Sequence, residues 1–137
     1  MKKRLLFAGT LLLFIATFTA CKKQDEATKP LRAKIIGKWQ VNKIDVTTAG
    51  AATVTTTYAS GDYMDFKDNS TDDFELGLGA NRSVGTYSSS IDNSLFLDFS
   101  SKDLQCTVTS VTDNQLQFTG TVVGSSPKIT ETYYLSR

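Results

Sequence analysis

Leu95-Phe96-Leu97-Asp98-Phe99, then Ser100-Ser101-Lys102-Asp103, then Leu104-Gln105-Cys106-Thr107-Val108 is the stretch that decides the fold. Leu95, Leu97 and Phe99 alternate with Phe96 and Asp98, and Leu104, Cys106 and Val108 alternate with Gln105, Thr107 and Thr109. A period of two puts each apolar trio on one face of a strand, whereas a helix would scatter it around its axis. The short polar segment between them makes the pair antiparallel neighbours with a common buried side.

The same signal extends in both directions. Toward the C-terminus, Asp113-Asn114 turns the chain into Leu116, Phe118 and Val122, and Gly124-Ser125-Ser126-Pro127 turns it into Ile129 to Leu135. Toward the N-terminus, Asp92-Asn93 follows Val84 to Ser88, and Phe74, Leu76 and Leu78 form an inward face stopped by Gly79. Asp68-Asn69 has hairpin chemistry, because both residues tolerate positive φ. Met64 and Phe66 alternate with Tyr63, Asp65 and Lys67, and Thr53 to Tyr58 is β-branched. Trp39 and Val41 share one face while Ile44 and Val46 continue on the other phase, which predicts a bulge near Asn42-Lys43. Leu31 and Ile35 fall on one face of a short helical turn that Gly37 ends.

Strands with one amphipathic face each cover a common interior. The expected class is all-β, an antiparallel up-and-down β-barrel of about eight or nine strands, which leaves no sheet edge exposed. A sandwich shares this periodicity, so alternation alone leaves both open. Gly37-Lys38-Trp39-Gln40-Val41 resembles the Gly-x-Trp signature that opens lipocalins, and Gly85-Thr86-Tyr87 and Tyr133-Tyr134-Leu135-Ser136-Arg137 resemble the lipocalin-like domains of bacterial lipoproteins. Phe66-Lys67-Asp68-Asn69 resembles their Phe-x-x-Asp-Gly turn, with Asn69 in place of Gly. The resemblance implies a barrel open at one end over residues 35–137, with a small apolar molecule bound in some relatives. It also implies a structural closure in which Arg137 lies across Trp39, a cation–π contact worth about 0.5–2 kcal/mol.

The first twenty residues do not belong to the barrel. Met1-Lys2-Lys3-Arg4 is a basic start, and Leu5 to Ala20 is an apolar run of sixteen residues. As a helix that run rises about 24 Å, short of the roughly 30 Å bilayer core. Phe18-Thr19-Ala20-Cys21 resembles a lipobox, with Phe where Leu is usual, which implies cleavage before Cys21 and its acylation. An ordinary cleaved signal peptide or a signal anchor is the alternative. Several acyl chains would make the anchoring stable, where one chain is marginal. Residues 1–20 thus read as a lipoprotein signal peptide and residues 21–34 as the lipidated Cys with a flexible tether. Lys22, in place of an Asp resembling an inner-membrane retention signal, favours the outer membrane, on its periplasmic or cell-surface side.

The chain of 137 residues carries a net charge of +1, and residues 21–137 hold 12 basic against 14 acidic groups. That balance gives no electrostatic footprint for nucleic acid. With no histidine in the chain, Ser–His and Cys–His nucleophile pairs are excluded. Neither a phosphate loop nor a metal cluster is present, so no enzyme, cofactor or metal is expected. Asp68, Ser70 and Asp72 match the first, third and fifth places of an EF-hand loop, but Asp73 stands where Gly is required and Gly79 where Glu is. Asp65 and Glu75 fall on the outer side, Cys106 falls among core residues, and Glu131 shares the inward phase of Tyr133. An inward Glu131 needs a partner such as Tyr133, or a bulge that turns it out.

Two functions follow. In the first, a non-enzymatic, membrane-anchored barrel binds a small apolar or amphipathic molecule, lined by Met64, Phe66, Phe74, Leu76, Tyr87, Leu97, Phe99 and Phe118. In the second, the same side chains fill the centre, and the barrel is a structural or protein-interaction module of the cell envelope.

Overall fold

The computed structural model describes residues 29–137, so the leader, Cys21 and the first part of the tether lie outside the described residues. A short helix, α1 (Leu31–Ile35), precedes nine strands: β1 (Gly37–Thr48), β2 (Val54–Thr57), β3 (Tyr63–Phe66), β4 (Asp73–Leu78), β5 (Asn81–Ser89), β6 (Ser94–Phe99), β7 (Asp103–Val111), β8 (Gln115–Val122) and β9 (Ile129–Ser136). Every neighbouring pair is antiparallel. The sheet runs β1-β3-β4-β5-β6-β7-β8-β9, and β9 pairs back onto β1, so eight strands close a ring. That closure separates a barrel from a sandwich. The result is consistent with a lipocalin-like fold.

β1 makes the ring possible because it is long enough to be used twice on one edge. Its first residues, Gly37 to Gln40, pair with β3, and Lys43 to Val46 pair with β2, while its other edge pairs with β9 from Gln40 to Thr48. The register shift against β9 falls between Val41 and Lys43, where the sequence changes phase. It lets Trp39 and Val41 before it, and Ile44 after it, all reach the interior. The ninth strand, β2, is not a wall of the ring: all four of its residues are exposed.

One position differs from the sequence expectation for a local reason. The left-handed residue of the β3–β4 loop is Asp72, at φ 50°, rather than Asp68 or Asn69, because the turn closes late, with the Asp72 amide donating to the Asn69 carbonyl. Leu31 and Ile35 of α1 are buried against the barrel.

Glycine sets the shape of β5. Gly85 lies between Phe74 and Phe99 in register, and a Cβ there would sit 1.9 Å from the Asp98 carbonyl oxygen. The missing side chain lets the Phe74 and Phe99 rings meet edge to face, centroids 4.7 Å apart.

Candidate functional site

All eight side chains expected to line a ligand space point into the same interior, and none faces an opening. Leu76 is the most exposed of them at 7%, and Met64, Phe66, Leu97 and Phe118 are at 0%. A void large enough for one water molecule would appear as accessible surface on the side chains around it. The space between them is instead taken by one another. Phe66 meets Tyr87 edge to face at 5.2 Å and Phe74 at 6.2 Å, and Phe118 stacks on Tyr133 at 4.8 Å. The Tyr87 hydroxyl is spent on the Lys67 carbonyl, 2.9 Å away. The larger hollows of the surface lie outside the ring. One, of about 340 Å³, is beside α1 and Arg137, and one, of about 770 Å³, lies over the outer wall of β4 and β5.

One end of the barrel is closed by α1, Trp39 and Arg137. The Trp39 indole is fully buried and donates its Nε1–H to the Ile35 carbonyl at 2.7 Å. The structure places the Arg137 guanidinium 3.8 Å from the Trp39 ring. Arg137 also donates to the carbonyls of Ile36 (2.9 Å), Lys34 (3.3 Å) and Asp113 (2.9 Å). Residue 137 therefore fastens the helix, the first strand and the β7–β8 turn together. A planar fork of donors suits this task, and a lysine could not make these bonds while stacking.

Beside it, Arg32 of α1 bonds to Asp72 at 2.7 Å and to Asp68 at 3.1 Å. Helix α1 thereby neutralises part of the acidic β3–β4 loop. Asp65 and Glu75 stand directly opposite each other on the outer face of β3 and β4. Asp65 is bonded by Lys67, and Glu75 by the Tyr63 hydroxyl, with Arg82 3.7 Å away. Among the described residues, no group of three or more His, Cys, Asp and Glu is arranged to hold a metal ion.

The other end is built differently. Glu131 is the one buried charged residue among the described residues, with 7% exposure. It points inward from β9, whose register with β8 runs unbroken from Thr130 to Thr132. Its Oε2 accepts the Tyr133 hydroxyl at 2.7 Å, and its Oε1 accepts the Lys102 ammonium. Lys102 stands in the β6–β7 turn, 29 residues away in sequence, and reaches past the Phe99 ring with Nζ 5.6 Å from its centroid. Sequence reasoning found Glu131 and Tyr133 but not Lys102, because a lysine in a Ser-Ser-Lys-Asp turn carries no periodic signal. Only the pairing of β7 with β8 and of β8 with β9 brings it over β9.

The carboxylate marks its surroundings. Burial, then the nearby Glu131 charge, pushes the Cys106 thiol up to about 12. The same two causes hold the Tyr133 hydroxyl well above its ordinary value. Tyr58 is raised by burial first, then by Asp62 and Glu131. Cys106 is thus a protonated core thiol at neutral pH, the unreactive state of a cysteine.

Comparison of the chain with family models, with curated proteins and with solved structures gives no match.

Proposed function

We propose that this chain is a non-enzymatic, lipocalin-like barrel that is lipid-anchored at Cys21 to the outer membrane, and that it works as a filled structural or protein-interaction module of the cell envelope. The observation that carries the filled reading is the closure of the eight interior side chains, none more than 7% exposed. Support for the anchor comes from the sequence alone, in Phe18-Thr19-Ala20-Cys21 and the charged residues after it. A small apolar or amphipathic guest inside the barrel is the second reading. It draws on the closed eight-stranded ring, a size that holds either packed side chains or one small ligand.

Native mass spectrometry of the chain extracted from membranes in mild detergent separates the two. The filled reading expects the polypeptide with its covalent acyl chains and nothing else, and a one-to-one passenger released on activation overturns it. In the same cells Cys21→Ser should abolish incorporation of an alkynyl fatty acid and release the protein from the membrane fraction. Unlabelled or soluble wild-type protein would remove the anchor.

A further inference from the structure

The Lys102 end differs from the rest of the barrel in four respects that point the same way. A buried acid faces inward there, and the cation that neutralises it is supplied by a surface turn rather than by the wall. The Lys102 side chain is 32% exposed and that of Glu131 is 9% exposed. The wall at this end is also less complete. β2 stands outside the ring, with Val54 64% exposed, and β6 pairs with β5 only from Gly85 to Ser89, leaving Asn81 to Val84 joined to β4 alone. The turns here, residues 49–53, 79–80, 100–102 and 123–128, carry only the charges of Lys102 and Lys128, and the adjoining Asp62 is spent on the Gly79 amide at 2.6 Å. Finally, Gly120 lies between Cys106 and Glu131 in register and contributes no side chain, so the Cys106 sulfur fills the space beneath.

We propose that Lys102 is a built-in occupant of a cation site formed by Glu131, Tyr133 and Phe99, that it latches the way into the barrel, and that the site takes an amphiphile with an ammonium head. A lysine side chain is itself a short alkyl chain ending in an ammonium, and here the head meets a carboxylate whose second oxygen is held by Tyr133 while the approach passes an aromatic ring. A free alkylammonium offers the same chemistry and competes with Lys102 alone, leaving the packed core in place. The inference goes beyond the filled-barrel reading and does not depend on a guest within the core. A carboxylate-headed amphiphile fits poorly, since it meets the like charge of the nearly buried Glu131.

Cys106 reports on the latch. In the full-length chain carrying Cys21→Ser it is the single thiol, since the sequence holds two cysteines. Its reaction with an aromatic disulfide reagent is followed in that protein, in a Lys102→Met derivative, and in a Trp39→Phe derivative that weakens the opposite end. Lys102→Met should raise the rate by about tenfold or more through local opening, which is nearly independent of urea, whereas Trp39→Phe should change it only as far as its loss of global stability requires. In the Lys102→Met protein n-hexylammonium should slow the thiol reaction, and n-hexanoate should not. The latch is overturned if Lys102→Met reacts only through global unfolding, as the urea dependence would show. The cation site is overturned if hexanoate protects as well as hexylammonium or if neither does.

Discussion

Both ends of this barrel are closed by a cation, and they are closed in opposite ways. Arg137 covers a fully buried indole and holds three carbonyls from two different segments, so losing any one contact leaves the rest in place. Lys102 makes one ion pair to one carboxylate, and beyond it lie Tyr133 and the Cys106 sulfur. The turns at the arginine end are rich in charge, with Asp68, Asp72, Asp92 and Asp113, the first two paired with Arg32, while those at the lysine end carry less, Lys102, Lys128 and the Asp62 that caps the Gly79 amide. The contrast teaches that the same formal device, a cation over the barrel end, is structural when its partners are redundant backbone carbonyls. It is releasable when its partner is a single side chain.

Trp39→Ala should have the largest effect, about 3–5 kcal/mol of lost stability, because it empties a fully buried site and strands Arg137. A thermal melt lowered by less than about 5 °C would mean that this end is not the anchor of the fold. Lys102→Met should cost less, about 1–3 kcal/mol, from a buried carboxylate left with Tyr133 as its only partner. Removing both charges in Lys102→Met/Glu131→Leu should recover most of that loss, since an apolar pair needs no desolvation. A double variant no better than the single one would show that the ion pair holds the fold, and the contrast between the ends would collapse.

The smallest effect is that of raising the pH to about 10. Cys106 is raised from its ordinary 9.0 to about 12, so the unfolded chain releases this proton first as pH rises. The stability from burying the neutral thiol is therefore fully present below about pH 9 and is lost between there and about pH 12, with about 1 kcal/mol gone near pH 10. Tyr133, also raised, extends the same decline. Urea melts across this range should show it, and Cys106→Ala should flatten its first part. An unchanged slope in that variant would mean that the thiol is not titrating in the core.

Much of the wall was legible because alternation is a local property. The inward trio of Leu95, Leu97 and Phe99 and the trio of Leu104, Cys106 and Val108 are buried as the period of two requires. The phase change at Asn42-Lys43 marks a real register shift, and the Gly85 of the Gly-Thr-Tyr motif is the seat of the Phe74–Phe99 contact. The candidate ligand lining was legible as a set of inward residues but not as a space. Whether eight large side chains leave a hollow depends on how their rings interlock across the ring of strands, and no spacing along the chain encodes that.

By itself, then, the sequence determined the strands, their inward faces, the short helix before them and a polar acid aimed at the interior, because each follows from side-chain direction over a few neighbouring residues. Tertiary structure alone decided that the sheet closes on itself, that the inward side chains pack on one another, and that a turn lysine neutralises the inward acid from 29 residues away. The physical reason is that packing and ion pairing depend on through-space distance, which the pairing of β7, β8 and β9 and the closure of β9 onto β1 establish.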